Sequence, residues 1–276
     1  MNYFFLAIAL GFLYFVINIL IHFIVGYKTK TKNNINYKLL TINGLILITL
    51  YYVFFILIDF LVSIELNSLL INSVIFLIIA FIPSLDYFFT PVINLFTSSQ
   101  IKKYPNPYYD KVYTINKEVN NAFATGIISN TKVILISENL LTDMNDIELK
   151  SIIFHELGHH KHNHLLKLYI LTVIILLIGY TTTFYFYPIF NKYSFADFLV
   201  ALHAAVFYGV FVLLITSFLQ QKFEYQADIY ASKKAGKENT INALKKFDII
   251  TEGKVSKGGI THPPLKKRIL NIEICG

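Results

Sequence analysis

Residues Tyr3 to Val25 form a run of more than 20 residues without one charged side chain. Roughly 20 consecutive apolar residues in a helix cross the ~30 Å hydrocarbon core of a bilayer, and the helix satisfies its own backbone hydrogen bonds there. A second run extends from about Leu39 to Val62, with Asp59 near its far end. A third, about Asn67 to Phe89, is interrupted by Pro83 and Asp86, and its unbroken apolar part runs only from Ser73 to Ile82. A re-entrant or interfacial helix is the alternative to a crossing for that third run. Leu165 to about Phe186 and Phe198 to Leu219 are two further runs, joined by a turn over Pro188 to Asp197. The expectation is an α-helical integral membrane protein with about five transmembrane helices. The first run lacks a basic lead-in and a small-residue cleavage site, so a removable signal peptide is not expected. His22 reads as an interfacial histidine, and His203 as a polar contact facing the helix bundle.

At 55% hydrophobic and 15% charged residues, the composition excludes disorder and fits poorly with an ordinary soluble domain. A net charge of +7 would suit nucleic acid, but its placement points to a membrane. Of the 24 Lys and Arg residues, all but Lys192 fall in residues 26–38, 97–167 or the tail after 220. With three runs ahead of residue 97, all three stretches lie on one side, which the positive-inside rule makes the cytosol. The N-terminus is then expected outside and the C-terminus inside. Cys275 is the one cysteine, so no disulfide forms within the chain.

Between residues 97 and 164 the chain turns polar. Val112 to Ile115 and Lys132 to Ile136 read as strands, being short β-branched runs bounded by turn residues. Asn121-Ala122-Phe123-Ala124-Thr125-Gly126 is too apolar and too small for a solvated loop. It reads as a further strand, with Gly126 ending it. Asn145, with Glu148 three residues on, forms a capping-box pattern ahead of Ile147, Leu149, Ile152 and Ile153.

The helix so predicted carries Phe154-His155-Glu156-Leu157-Gly158-His159-His160. Residues four apart share a helical face, so His155 and His159 offer two imidazole nitrogens to one metal ion. This is the H-E-x-x-H pattern, in which the glutamate is a general base and not a ligand. The pattern is short enough to arise by chance, and the predicted helix is what gives it weight. His160, His162 and His164 are not expected to be ligands; a polar helix end at the interface accounts for them.

A catalytic zinc takes three protein ligands, so a third is required. In Phe223-Glu224-Tyr225-Gln226-Ala227-Asp228, Glu224 and Asp228 share a helical face. Glu224 can bind the metal while Asp228 accepts a hydrogen bond from a ligand histidine. Alone, the two would read as a solvated acidic pair. Geometry favours the site. His159 precedes Leu165 by six residues, roughly 9 Å of helix, and Glu224 follows Leu219 by five. An antiparallel membrane hairpin therefore brings both stretches out at the same depth.

Four blocks, in order, resemble the membrane-bound zinc endopeptidases that include the HtpX heat-shock protease and the CAAX prenyl endopeptidase. They are Asn121 to Gly126, His155 to His159, Glu224 with Ala227-Asp228, and Thr261-His262-Pro263-Pro264-Leu265-Lys266-Lys267-Arg268-Ile269. The likeness covers about 112–269. The three runs before it do not match the four-crossing pattern of HtpX, and His164 stands where HtpX-like members have aspartate, nearer the prenyl-protease pattern. The resemblance implies a cytosolic α+β zincin-like (gluzincin) metalloprotease domain holding one Zn2+ per chain. It implies His155, His159 and Glu224 as metal ligands, Glu156 as base, and Asp228 behind a ligand histidine. It places His262 near the site, as a donor to the reaction's oxyanion or as packing for a proline-stiffened turn. Asn121, Ala122, Phe123 and Ala124 are expected to pair with an extended substrate backbone.

The domain plan is then a membrane region over 1–96, the first catalytic part over 97–164, a membrane hairpin over 165–219 and the second catalytic part over 220–276. Expected substrates are membrane proteins or hydrophobic or lipidated peptides at the cytosolic face of the cell membrane, with no nucleic acid partner. Nothing in the sequence fixes the oligomeric state. The competing reading is a non-proteolytic metal carrier or sensor using the His155–His164 cluster. It leaves Glu156, Glu224 and the Asn121 block without a role.

Overall fold

The computed structural model describes residues 101–115, 120–190 and 211–276, with the single positions 192, 199 and 203. The chain divides into two compact units, Met1–Ile75 and Phe76–Gly276, and every described residue belongs to the second. The three N-terminal hydrophobic runs, with His22, lie outside the described residues.

The three expected strands form, and a fourth at residues 101–103 joins them. β1 (Ile101–Lys103), β2 (Val112–Ile115), β3 (Ala122–Thr125) and β4 (Val133–Ser137) make one sheet in the order β1-β2-β4-β3. β2 and β4 run parallel in its centre, and β1 and β3 lie antiparallel on its edges. All five residues of β4 are buried, as a strand covered on both faces should be. Gly126 ends β3 with φ +91, and a Cβ there would lie 2.0 Å from the Thr131 carbonyl oxygen. Only glycine fits that turn.

One face of the sheet, through Val112, Ala122, Ile134 and Ile136, packs on Leu140, Met144, Leu149, Ile152, Ile153 and Ala243. These come from α1 (Glu138–Asp143), Met144, α2 (Asp146–Lys161) and α5 (Lys237–Ile250). The other face gathers Ile115, Val133 and Leu135 with Ile101, Tyr113 and Phe123. α3 (His164–Phe190) and α4 (Val212–Ala235) are the long helices, and α6 (Lys254–Lys257) and α7 (Leu265–Cys275) close the chain.

α2 and α3 do not form one straight rod. Asn163 takes a left-handed φ of 53 between them, and the two axes bend by 43°. Among the described residues no single helix is long and apolar enough to cross a membrane; by length and composition Asp146–Lys161 with His164–Gly179 passes as a bent pair. α3 turns Ile170, Ile174 and Ile178 outward one turn apart, and α4 exposes Leu214 and Phe218. The start of α3 meets the middle of α4 where His164 stacks on Phe223, while Thr182 further along α3 bonds His203 earlier in the chain. His203 thus makes the polar contact foreseen for it. α4 continues unbroken from Val212 past Leu219 to Ala235, so the end of the apolar run and the stretch bearing Glu224 are one helix.

Candidate metal centre

The site begins at the N-cap of α2. The Asn145 side chain accepts from the amides of Ile147 at 3.0 Å and Glu148 at 2.9 Å, and Glu148 accepts from the Asn145 amide at 2.9 Å. This reciprocal cap starts the helix where the sequence places it, and its register sets His155 and His159 on one face.

α4 crosses α2 at Gly158. A Cβ on Gly158 would lie 2.9 Å from the Cα of Ala227, and Ala227 is itself fully buried. Two small residues let the helices touch, and that contact brings Glu224 to the histidines. His155 Nε2 lies 3.3 Å from His159 Nε2, and each lies 3.5 Å from a Glu224 carboxylate oxygen. Zinc bonds of ~2.0–2.1 Å at the tetrahedral angle separate neighbouring ligand atoms by roughly 3.3–3.4 Å. The three side chains are therefore spaced as three corners of a zinc tetrahedron. Two imidazoles and one carboxylate also suit zinc chemically. Among the described residues this is the one group of three or more such side chains close enough to share an ion.

Asp228 lies behind His155, with Oδ1 at 2.9 Å from Nδ1. Arg268 from α7 clamps Asp228 with two bonds, Nε to Oδ2 at 2.8 Å and Nη2 to Oδ1 at 2.6 Å. Its Nη1 also lies 3.4 Å from Glu224. Burial opposes charge on both carboxyls, yet the Arg268 cation outweighs it and holds both well below the usual range. Burial likewise opposes charge on His155, but its bonds to Asp228 and Glu224 win and push its pKa up to about 10. Burial, with His155 beside it, takes His159 down to about 3. The two carboxylates thus favour positive charge at His155.

Glu156 stands beside the triangle and outside it. Its Oε2 accepts from the amide of Ala124 on β3 at 2.7 Å. Burial raises its pKa to about 7. Because Ala124 sits on the edge strand and turns its amide away from β4, the alternate residue Ala122 faces the same way. Asn121 is occupied locally, accepting from the Ala122 amide at 3.0 Å. A cleft of about 330 Å³ opens over these groups, floored by His155, Glu156, His159, Glu224 and Arg268 and edged by Asn121 to Ala124. Ile152, Leu165, Leu168, Phe223, Leu244 and Phe247 supply its apolar wall. His262 lines the cleft, its side chain 63% exposed, with Nε2 at 3.6 Å from Glu224.

Every site residue expected from sequence therefore borders one cleft or stands directly behind it. The account of the neighbouring histidines needs correction. His164 is only 1% exposed and so is not a polar helix end at the interface; its Nδ1 lies 3.0 Å from His159 Nδ1. His160 is also buried and turns to the Val133 carbonyl at 3.2 Å. Arg268, His164 and Gln226 are contacts that reading residue by residue missed.

The peptidase family M48 profile matches residues 92–274. Protease HtpX of Mannheimia succiniciproducens is 30% identical over 205 residues, which are 63% of this chain and 70% of that protein. Protease HtpX of Pseudoalteromonas atlantica is 27% identical over 172 residues, 54% of this chain and 59% of the relative. The crystal structure of S. mikatae Ste24p superposes with a TM-score of 0.64 at 18% identity, covering 86% of this chain and 67% of that one. At that identity the likeness speaks for the fold.

Proposed function

The chain belongs to peptidase family M48 and is a metalloprotease, and from that premise we propose that it is a membrane-integrated zinc endopeptidase that cuts membrane-associated proteins or hydrophobic or lipidated peptides at the cytosolic face. The observation that carries this reading is the triangle of His155, His159 and Glu224 with Glu156 beside it. These three would hold one zinc ion per chain. Zinc bound there would supply a water acidified toward a pKa of ~7 and an electrophile for the scissile carbonyl.

The chain's own groups do the rest. Glu156, poised near neutrality, takes the proton of the attacking water and passes it to the leaving nitrogen. The outward carbonyls of Ala122 and Ala124, whose amides bond Asn121 and Glu156, would accept from an extended substrate laid along the sheet edge. His262, which lines the cleft with Nε2 3.6 Å from Glu224, would donate to the developing oxyanion. Asp228 keeps His155 in the tautomer that leaves Nε2 for the metal. The apolar wall of the cleft favours an apolar side chain next to the cut bond.

The lysine distribution supports five crossings with the N-terminus outside. The outward isoleucines of α3 and the apolar residues of α4 support a lipid-facing hairpin. The metal-carrier reading loses support, since His160 bonds the sheet and His164 bonds His159.

The test is comparative proteomics of membranes from cells making the parent or the Glu156→Gln form. Membrane-bound or hydrophobic polypeptides should accumulate only with Glu156→Gln. Identical profiles would remove the proteolytic reading. Reporters fused before Met1 and after Gly276 should read external and cytosolic; an internal N-terminus would reduce the crossings to four.

A further inference from the structure

His159 has a different kind of partner from His155. His155 is backed by a carboxylate, while His159 Nδ1 faces another histidine, His164, at 3.0 Å. His164 in turn reaches Gln226 through Nε2, at 2.9 Å from Oε1. We infer that His164 and Gln226 form a neutral relay that positions His159, fixing the tautomer in which its Nε2 is free to bind the metal.

The proton positions close in only one direction. His159 offers Nε2 to the ligand triangle, so its proton must sit on Nδ1. That N–H needs an acceptor, and His164 Nδ1 can accept only if the His164 proton is on Nε2. Nε2–H then donates to Gln226 Oε1, which is an acceptor. With the Gln226 amide reversed, each proton would move one place and His159 would carry its own on Nε2, blocking the metal.

The fold fixes the relay. The left-handed turn at Asn163 starts α3 at His164. The His164 ring lies flat on Phe223, centroids 4.1 Å apart and planes within 6°, with His162 stacked at 5.4 Å. Gln226 stands two residues beyond Glu224, so α4 supplies both a ligand and the end of the relay. Outer partners of metal-bound histidines are worth ~10–100-fold in affinity or activity. A neutral relay orients the ring as a carboxylate does but adds no negative charge to a site that already holds Glu224 and Asp228.

This inference rests on the zinc reading, and two substitutions separate relay from packing. In His164→Asn the Asn Oδ1 takes the place of the ring Nδ1, keeping the acceptor and losing the stacked ring. In His164→Leu the apolar bulk against Phe223 is kept and the acceptor is lost. Zinc affinity is measured on the full chain in detergent by chelator competition, together with the visible spectrum of the Co2+-substituted protein. His164→Asn should stay near the parent in both; His164→Leu should bind zinc ~10–100-fold more weakly and shift the Co2+ bands. Gln226→Met, at an exposed position, should weaken binding in the same direction without disturbing the fold. Parental affinity in His164→Leu and Gln226→Met, or equal losses in the Asn and Leu forms, would overturn the relay. A parent that holds no zinc, or a His155→Ala form that holds it tightly, would instead overturn the zinc reading.

Discussion

Gly158 on α2 and Ala227 on α4 meet so closely that a methyl group on Gly158 would lie 2.9 Å from the Ala227 Cα and 3.3 Å from its Cβ. The nearest atom is backbone, so no side-chain rotation can relieve the clash. The ligands on either side of this contact belong to different helices. Gly158→Ala should therefore push Glu224 away from His155 and His159. Helix propensity favours alanine by ~1 kcal/mol, but overpacking costs ~1–3 kcal/mol and acts on the site directly. Zinc affinity should fall with little change in helix content. Chelator competition beside far-ultraviolet circular dichroism checks this, and parental affinity would show that the helices have room to spare.

The carboxylates of Asp228 and Glu224 favour positive charge at His155. At pH 8 His155 is protonated, His159 is neutral, and Glu156 is mostly ionised. Zinc must displace the Nε2 proton of His155, so binding should release about one proton, and affinity should rise ~tenfold per pH unit from 7 to 9. Calorimetry in buffers of different ionisation enthalpy measures the release. Asp228→Asn removes one of the two carboxylates that hold the proton, and should reduce it. The linkage sign follows. A folded pKa of about 10 against 6.5 unfolded stabilises the metal-free protein fully below pH 6.5. That contribution is lost as pH climbs through 10.

Glu156 works as a base only when ionised. Burial raises its pKa to about 7 in the metal-free site, and a bound cation lowers it from there. Activity should therefore fall as pH drops below neutral, and kcat/KM against pH would show this acid limb. Activity that rises into acid would contradict the role given to Glu156.

Arg268 and Asp228 are both buried and bonded twice. Removing Arg268 leaves the buried Asp228 carboxylate with His155 alone beside it, and breaking such a buried pair typically costs ~3–5 kcal/mol. Arg268→Met should lower the melting temperature sharply. Arg268→Lys should recover little, because an ammonium cannot reproduce the two-pronged contact. Thermal unfolding of the metal-free forms measures both; a parental melting temperature in Arg268→Met would remove Arg268 from the structural core.

Much of this was legible because its causes are local. The capping box at Asn145 and Glu148 specified the start of α2, and helical spacing then fixed His155 and His159. β2, β3 and β4 announced themselves through β-branched or small apolar runs. β1 did not, since two of its three residues are lysines and its pairing is supplied by β2. Arg268 was hidden for a similar reason. It follows Lys266 and Lys267 in a run that reads as solvated, and its burial depends on Asp228, 40 residues earlier. The bend at Asn163 carries no proline to mark it, so α2 and α3 read as continuous. His164 was misread because the ring that buries it, Phe223, comes from another helix.

The central claim is that His155, His159 and Glu224 hold the zinc while Glu156 does the proton transfer beside it. Zinc content and peptide-bond cleavage, measured together on the parent, Glu156→Gln and Glu224→Ala after dialysis, test it most directly. The parent should hold one zinc per chain and cleave, Glu156→Gln should hold one and be inactive, and Glu224→Ala should be empty. Zinc retained by Glu224→Ala, or lost from Glu156→Gln, would contradict the account.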